Sequence, residues 1–532
     1  MPGEHVCADF VRKSSTRLPV DTTIEAAIRN ETPKMGNATA LENVTSLAIP
    51  LKRSKTVLKP DPSRVLLRQF EPGDARRISG IIERVMAVPE AMVGPLLDQV
   101  SADFAQRHLH LQQRFLDRFE QLRELMPAHA EFSTQRRLLI GSYFLAEYSL
   151  ESAALFSPSM VPHPDQTGLP EGAVRFVLSL RATGEGHISS VTFRSGIVHR
   201  DLRIEVDPAG SLLTEPRQIA NTVYEGPLFQ RKLCELGLES AFTSRVLERL
   251  GNSFGLTTLR DALTAELEHS GQAHGEAGED QLRAQSIWML ARSNYEVQFE
   301  PEQDLSERII FPSTPSQKNG IEDARFVRFR KDDGSHVYFA TFTAYDGRVI
   351  MPELLETSDF LRFRFISLNG PEAENKGMAL FPRKVNGAYA MISRQDNENI
   401  FLMRSDNVHF WNERQLLLKP KFPWELVQIG NCGSPIETDA GWLVLSHGVG
   451  LMRQYCIGAF LLDLQDPSKV IGRLREPMMC PEPSEREGYV PNVVYSCGAL
   501  LHQGQLIIPY GLADHASGFA TVGLKDVLGA ME

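Results

Sequence analysis

The residues best suited to do chemistry are two adjacent carboxylates, Glu322 and Asp323, with a cation, Arg325, two positions further on. They precede an apolar stretch, 326–329, that predicts a buried strand. Charge at the start of such a strand is unfavourable unless it is paired or used. Because side chains alternate along a strand, we expect Glu322 and Asp323 to face different ways. One carboxyl can then be catalytic while the other shapes the site. The structural alternative is an ion pair between Asp323 and Arg325 that ties two strands together.

A second candidate cluster is cationic and falls within the single stretch 376–394, which contains Lys376, Arg383, Lys384 and Arg394. Arginine binds phosphate or carboxylate through two parallel hydrogen bonds, and lysine supplies a mobile point charge. Runs of charge are usually a solvated face, which is our interpretation of Arg383 and Lys384. Arg394 directly follows an apolar strand, so Lys376 and Arg394 are the candidates for an anion pocket.

Other kinds of site have weaker signals. His447 closes the apolar stretch 442–447, where a lone histidine is more often structural than catalytic. No group of His, Asp or Glu residues has the spacing of a metal site, and we expect no catalytic metal. No glycine-rich phosphate-binding or dinucleotide-binding pattern precedes a helix, so no nucleotide cofactor is expected either.

The elements that must position these residues recur along the chain. Each copy is an apolar strand, a turn that contains glycine, and a second apolar strand that ends on a charged or hydrogen-bonding residue. The copies are 157–181, 320–346, 375–394, 433–447 and 488–514. A unit repeated at a spacing of roughly 50 residues indicates an array. For strand-turn-strand units the expected array is a β-propeller, whose blades aim equivalent loops at one axis.

The predicted fold is therefore mainly β, a five-bladed propeller with helical additions. A flexible arm is expected at 1–60, which is polar and weakly periodic, and a helical N-terminal region at 61–153. The first blade is predicted at 154–225 and the other four at 293–532. A helical insertion at 226–292 separates them. The two helical regions are the candidates for a homo-oligomer contact.

Composition limits the partners and the compartment. The chain has 532 residues, 42% of them hydrophobic, and a net charge of −11. No long basic run is present, which argues against nucleic acid and anionic membranes as partners. Six cysteines without a CxxC pair predict reduced thiols rather than a disulfide framework. The N-terminus lacks the features of a secretory signal, and no apolar run is long enough to span a membrane. We therefore expect a cytoplasmic protein.

Five sequence motifs in this chain resemble glycoside hydrolase family 130, which comprises β-mannoside phosphorylases and related β-mannosidases. They occur in the order found in that family, and the resemblance covers 157–225 and 293–532. The motifs are Gly-Ile-Glu-Asp-Ala-Arg at 320–325, Lys-Gly-Met-Ala-Leu-Phe-Pro-Arg-Lys at 376–384, Ser-Pro-Ile-Glu-Thr-x-x-Gly-Trp-Leu-Val-Leu-x-His-Gly-Val at 434–449, Gly-Tyr-Val-Pro-Asn-Val-Val at 488–494, and Pro-Tyr-Gly-Leu-Ala-Asp at 509–514.

The resemblance implies a five-bladed propeller with a sugar pocket on its axis and an inverting phosphorylase of glycosyltransferase type. Asp323 would be the general acid, passing its proton to the glycosidic oxygen through a hydroxyl of the bound mannose. Inorganic phosphate would attack the anomeric carbon from the opposite face and give α-mannose 1-phosphate. No cofactor is implied, and the partners are a β-mannoside oligosaccharide and phosphate. A phosphate nucleophile also accounts for the lack of an obvious second catalytic carboxylate, which an inverting hydrolase needs at about 6.5–9.5 Å from the acid.

Carried over residue by residue, the resemblance implies two sets of binding residues, one for phosphate and one for the sugar substrate. The phosphate-binding set is Arg181, Lys376 and Arg394. The substrate-binding set is Glu322, Arg325, Asp346, His447, Asn492 and Asp514. The chain departs from the family where Lys376 replaces an arginine, where Gly377 replaces an asparagine, and where Gln428 replaces a lysine.

The neutral Gln428 leaves two alternatives open. The first is an inverting β-mannosidase on the same scaffold, in which Glu437, Glu485 or Glu487 would activate water. The second is a carbohydrate-binding propeller without catalysis, for which a convergence of such charges would serve no purpose.

Overall fold

The structure of the chain is a computed structural model that describes residues 49–126, 131–219, 223–271, 277–345, 347 and 350–532. Strands dominate it, so the fold is mainly β. Among the described residues, no helix combines the length and apolar character needed to cross a membrane.

The N-terminal part mixes short strands with helices. Its elements are β1 (Lys52–Leu58), β2 (Val65–Gln69), α1 (Ala75–Met86), α2 (Glu90–Phe104), α3 (Leu111–Gln121), α4 (Thr134–Ser142) and β3 (Leu145–Ser149). Helix α1 begins where the Asp74 carboxylate accepts the backbone N–H of Arg77, which satisfies a free helix donor. It buries Ile78, Ile82 and Val85, which recur at helical spacing.

Two predictions for this part are wrong in places. Strands β2 and β3 pair with each other inside 61–153, so that region is not helical throughout. Strand β1 pairs with a strand near the C-terminus, so 52–58 is not part of a flexible arm. In both cases pairing between segments far apart in sequence decides the structure, and local composition does not reveal it. Residues 1–48 of the predicted arm lie outside the described residues.

The first sheet is an antiparallel meander of β4 (Ala154–Pro162), β5 (Val174–Thr183), β6 (Ser189–Val198) and β7 (Ile204–Val206). After it come β8 (Arg217–Gln218), β9 (Val223–Glu225), α5 (Gly226–Glu235), α6 (Ala241–Leu250), β10 (Ser253–Gly255), α7 (Leu256–Gly271) and α8 (Ala277–Arg292). These helices occupy the stretch predicted as a helical insertion. They pack around their own apolar core, which includes Phe229, Phe242, Val246, Leu263 and Ile287.

The second sheet has the order β13-β14-β15-β16-β11-β8. Its remaining strands are β11 (Tyr295–Gln298), β13 (Ile321–Arg330), β14 (His336–Tyr345), β15 (Ile350–Thr357) and β16 (Arg362–Ser367), while β12 (Ile309–Ile310) pairs with β6 of the first sheet. After the helical insertion the chain therefore returns to the first sheet and adds β12 to it. The prediction had assigned all residues from 293 onward to the other four blades.

Three further antiparallel sheets complete the chain. The third contains β17 (Lys376–Leu380), β18 (Tyr389–Arg394), β19 (Ile400–Ser405) and β20 (Arg414–Leu418). The fourth contains β21 (Gln428–Asn431), β22 (Ile436–Thr438), β23 (Gly441–Val449), β24 (Tyr455–Leu462) and β25 (Val470–Arg473). The fifth contains β26 (Val494–Tyr495), β27 (Leu500–His502), β28 (Gln505–Leu512) and β29 (Ala516–Gly523), to which β1 adds an edge, and the chain then forms α9 (Leu524–Gly529).

The five larger sheets contact one another in chain order. Strand β4 of the first sheet packs against β13 of the second, and β14 packs against β17 of the third. Strand β18 then contacts β21 of the fourth sheet, β24 contacts β26 of the fifth, and β28 packs against β4. The contacts thus run from the first sheet through the fifth and back to the first.

The cysteine prediction is wrong for one pair, since Cys456 on β24 and Cys480 form a disulfide. Backbone pairing of Ile457 with Met479 holds the two Cα atoms 4.4 Å apart across 24 residues of sequence. That separation resembles no short cysteine motif, which is why spacing alone missed it. Of the other described cysteines, Cys432 and Cys497 are buried free thiols and Cys234 is an exposed one.

Candidate active site

A β-bulge positions Asp323 at the start of β13. The register with β14 shifts between Glu322 and Arg325, and Asp323 has a φ of +52°. The same irregularity occurs on β4 at Ser157 (φ +48°) and on β17 at Gly377 (φ +92°). Bulges redirect side chains, and a non-glycine residue with positive φ costs on the order of 1–3 kcal/mol, a strain concentrated at functional sites.

These bulged strands border a cavity of about 290 Å³. Each of the five larger sheets contributes to its wall. Its charged side chains are Arg181, Glu322, Asp323, Arg325, Lys376, Arg394, Arg453 and Asp514. Its aromatic and uncharged polar side chains include Ser157, Asn397, Gln428, His447, Tyr455 and Tyr495. A concave site with convergent polar groups is where a small ligand is expected to bind.

Arg181 joins the two carboxylates. Its Nη2 donates to Glu322 Oε1 at 2.7 Å, and its Nη1 lies 3.4 Å from Asp323 Oδ1. Asp323 also accepts a hydrogen bond from Ser157 Oγ at 2.8 Å. Both carboxylates therefore meet one guanidinium, contrary to the alternation expected for a regular strand, because the bulge between them breaks that alternation. Arg325 donates instead to Tyr495 Oη at 2.6 Å, so the ion pair expected as the structural alternative is not its main contact.

The charges around Asp323 favour its ionised form. Burial alone would raise its pKa, but Arg181, then Arg325 and Lys376, and the hydrogen bond from Ser157 together hold the pKa below the ordinary value of 3.8. An anion bound at these cations would offset their charge. The pKa of Asp323 would then rise, which is the direction a general acid requires.

The pKa of Asp514 is shifted in the opposite direction, upward. Burial, together with the negative charge of Asp323, raises its pKa to about 7, against opposing effects from Arg181 and Arg453. Of the two carboxyl groups, Asp514 is thus the one that holds a proton near neutral pH.

We expect Asp514→Asn to stabilise the protein at pH 8 and not at pH 4. A folded pKa above the unfolded value means that ionising Asp514 weakens the folded state. The free energy of unfolding begins to fall as the pH rises past the pKa of Asp514 in the unfolded chain. The fall is complete above the folded pKa of about 7. The melting temperature of the variant and of the wild type, measured between pH 4 and pH 8, checks this. Asp406→Asn, which changes an exposed carboxyl, is the control, and a gain for Asp514→Asn that does not grow with pH contradicts the shift.

The other side of the cavity is cationic and has little internal compensation. Arg394 is 6% exposed and Arg325 is 4% exposed, and the Nε atom of each is buried without a hydrogen-bond partner. Lys376 lies directly across from Arg394 in the pairing of β17 with β18. None of the ion pairs among the described residues involves these three cations. Burial, and then the nearby Arg325, lower the pKa of Arg394. Buried cations without counter-charges weaken a fold unless an anion binds them.

His447 supports Arg394 as a neutral ring. It is buried, and burial together with Arg394 and Arg325 holds its pKa well below the ordinary value. Its Nε2 lies 3.5 Å from Arg394 Nη1, so the unprotonated nitrogen can accept from the guanidinium. Gly430 makes this approach possible, because a Cβ there would lie 2.4 Å from the His447 ring.

The structure brings most of the predicted site residues into the cavity. Those that line it are Arg181, Glu322, Asp323, Arg325, Lys376, Arg394, His447 and Asp514. Asn492 is not among the lining residues; its backbone carbonyl accepts from Tyr455 N at 3.0 Å and so positions that ring. Asp346 lies outside the described residues.

Arg383 and Lys384 are on the outside, as expected, where they pair with Glu437 and Asp332. The sequence analysis did not single out Ser157, Arg453, Tyr455 or Tyr495 as site residues. Only Ser157 carried a signal, as the first residue of the first repeat.

The carboxylates considered as a base for water lie elsewhere. Glu437 pairs with Arg383 at the surface, Glu485 pairs with Arg53 and accepts from Tyr510, and Glu487 is exposed. None of these three lines the cavity. The cavity thus has a side with paired carboxylates at Asp323 and a cationic side at Arg394 that is suited to an anion.

Comparisons with known proteins show which proteins this chain is similar to. A family model described as beta-1,4-mannooligosaccharide phosphorylase matches residues 285–532. The chain is 36% identical over 231 residues to the 1,2-beta-oligomannan phosphorylase of Thermoanaerobacter sp. (strain X514), covering 42% of this chain and 75% of that protein. It is 31% identical over 230 residues to the beta-1,2-mannobiose phosphorylase of Listeria innocua, covering 42% and 63%. A solved structure of a beta-1,2-mannobiose phosphorylase from Listeria innocua aligns with a TM-score of 0.43 and 22% identity, covering 71% of this chain and 92% of that one.

Proposed function

The chain belongs to glycoside hydrolase family 130, and from this premise we propose that it is an inverting phosphorylase that cleaves β-mannosides with inorganic phosphate. The product is α-mannose 1-phosphate. Relatives named as phosphorylases of β-1,2-mannobiose, β-1,2-oligomannan and β-1,4-mannooligosaccharides support the substrate class.

The observation that carries the proposal is a group of three cations on the cavity wall, Arg325, Lys376 and Arg394, that form no ion pair among the described residues. Two of these cations are almost fully buried. Arg181, which was predicted to bind phosphate, pairs with the two carboxylates instead. Phosphate is already a nucleophile and needs only to be bound and oriented, for which arginine and lysine are well suited. Water would need a base, and Glu437, Glu485 and Glu487 are outside the cavity.

The mechanism that the family resemblance implies fits the two sides of the cavity. Asp323 gives its proton, through a hydroxyl of the bound mannose, to the glycosidic oxygen as the bond from that oxygen to the anomeric carbon breaks. A phosphate oxygen held beside Arg394 and Lys376 forms the new bond from the opposite face. The negative charge of phosphate raises the pKa of Asp323, so phosphate binding and protonation of the acid support each other.

Asp514 belongs to the acidic side, since the charges that act on it are Asp323, Arg181 and Arg453. We assign it, together with Glu322, to the sugar. For the fold we propose a five-bladed propeller, which the contacts between successive sheets support. The cytoplasmic location and the homo-oligomer stay predictions.

The test is to incubate the protein with β-1,2-mannobiose and β-1,4-mannobiose, each with and without phosphate, and to separate the products. We expect mannose 1-phosphate and free mannose in equal amounts, and only when phosphate is present. The alternative is an inverting β-mannosidase. Release of two mannoses per disaccharide at the same rate without phosphate would establish it and overturn the proposal.

A further inference from the structure

Arg453 is a cation on the wall of the cavity that the reaction described above does not use. It lies in a short turn that follows β23, and it lines the cavity together with Gln428 and Tyr455. None of the ion pairs among the described residues involves Arg453. It contacts the Tyr455 ring, whose centroid lies 5.6 Å from the guanidinium carbon, and its charge also acts on Asp514 across the cavity wall.

The turn that carries Arg453 stands out into solvent. Leu451 is 85% exposed and Met452 is 92% exposed. Met452 and Arg453 have φ values of +54° and +55°, a left-handed backbone that non-glycine residues seldom adopt. Two backbone hydrogen bonds close the turn, since Gly450 N–H donates to the Gln454 carbonyl and Gln454 N–H donates to the Leu451 carbonyl. The backbone is thus held in an unfavourable conformation that keeps Arg453 at the exposed end of the cavity.

Gln428 lies beside this turn. It is the first residue of β21 and pairs with Val449, the last residue of β23, immediately before the turn. Gln428 therefore begins the strand that pairs with β23, while Arg453 lies in the turn between β23 and β24, and both residues line the cavity. Gln428 is neutral, so Arg453 supplies the positive charge at this end.

The other cations are deeper. Arg325 and Arg394 are buried, whereas Arg453 is exposed. An anion held only by the buried cations would have one side facing the neutral Gln428 and solvent. A flexible guanidinium at the exposed end can reach that side and form charge-assisted hydrogen bonds to phosphate oxygens.

We propose that Arg453 is a specificity-determining residue that binds phosphate from the exposed end of the cavity and supplies the charge that Gln428 lacks. This inference rests on the proposed phosphorolysis. It adds to the anion site a residue from the turn between β23 and β24.

The test compares R453Q, the double variant Q428K/R453Q and the wild type in phosphorolysis of β-1,2-mannobiose or β-1,4-mannobiose, whichever the wild type cleaves. For R453Q we expect the KM for phosphate to rise about 10-fold to 100-fold, because one charge-assisted contact is lost. The KM for the disaccharide should change by less than about 3-fold. In Q428K/R453Q the charge returns from the neighbouring strand, and the KM for phosphate should fall again by about 10-fold. R475Q, which removes an exposed arginine at a site outside the cavity, is the matched control.

The outcomes separate this inference from the proposed function. A wild-type protein that consumes no phosphate overturns the proposed function, and this inference with it. A wild-type protein that consumes phosphate while R453Q keeps the same KM for phosphate overturns only the role of Arg453. The role of Arg453 is also overturned if Q428K does not lower the raised KM for phosphate of R453Q. It is overturned as well if the KM for the disaccharide rises equally, because a purely structural role of the turn predicts both results.

Discussion

Asp323→Asn is expected to lower phosphorolysis of an unactivated β-mannoside by about 10²–10⁴-fold, the range that general acid catalysis contributes. The amide cannot donate the proton that the leaving sugar oxygen needs. The fold should remain intact, because asparagine tolerates the positive φ of this position and can accept from Ser157 as aspartate does. Turnover at saturating phosphate, measured beside circular dichroism and melting temperature, checks both parts.

A substrate with a better leaving group shows whether Asp323→Asn loses only the proton donor or disrupts the whole binding site. Nitrophenolate leaves without protonation, so Asp323→Asn should be much less impaired on 4-nitrophenyl β-mannoside than on a mannobiose. Asp333→Asn, which changes an exposed turn carboxylate, is the matched control and should keep wild-type rates. An equal defect on both substrates, or mannobiose turnover above a tenth of the wild-type rate (~1.4 kcal/mol of barrier), contradicts the assignment of Asp323 as the acid.

Arg394→Met is expected to abolish the use of phosphate and to stabilise the protein. Arg394 is 6% exposed, its Nε has no partner, and burial already lowers its pKa. Replacing a buried ion pair with apolar side chains of similar volume is often neutral or stabilising, by about 1–4 kcal/mol, and we expect the same direction for this buried cation, which has no ion pair. Removing a preorganised donor from the reacting group costs about 10²–10³-fold in turnover. One substitution should therefore raise the melting temperature and lower phosphorolysis.

Phosphate-dependent stability gives a second readout. Phosphate should raise the melting temperature of the wild type in proportion to the logarithm of its concentration above Kd, and this shift should vanish in Arg394→Met. Arg383→Met is the matched control on the same sheet, since Arg383 pairs with Glu437 at the surface. If Arg394→Met is destabilised and still gains stability from phosphate, Arg394 is a structural residue and the anion site lies elsewhere.

The sequence located the chemistry better than it predicted the geometry. The motif 320–325 identified Asp323, and the alternation rule then separated it from Glu322. In the structure both side chains meet Arg181, because the bulge at Asp323 redirects one of them. A bulge depends on how two strands align, so it cannot be derived from the composition of one strand.

The features that could not be predicted from the sequence depend on contacts between segments far apart in the chain. Strand β1 pairs with β29, and Cys456 bonds Cys480 through the pairing of Ile457 with Met479. Neither segment has a local signal for its partner. Arg453 was missed for a related reason, since its role depends on the hairpin that brings it beside Gln428. The missing charge at Gln428 was visible in the sequence, but the presence of Arg453 on the wall of the same cavity was not.

The central claim is that phosphate, held beside Arg394, is the nucleophile, and labelled water tests it most directly. The protein should be incubated with a β-mannobiose and unlabelled phosphate in water enriched in ¹⁸O, and the products analysed by mass spectrometry and phosphorus NMR. We expect α-mannose 1-phosphate without ¹⁸O, and a second mannose in which the former glycosidic oxygen, now a hydroxyl oxygen at C2 or C4, is also unlabelled. Free mannose is reduced as it forms, before its anomeric oxygen exchanges with water. Free mannose that carries ¹⁸O at the anomeric carbon from the first turnover, with no mannose 1-phosphate, would contradict the central claim.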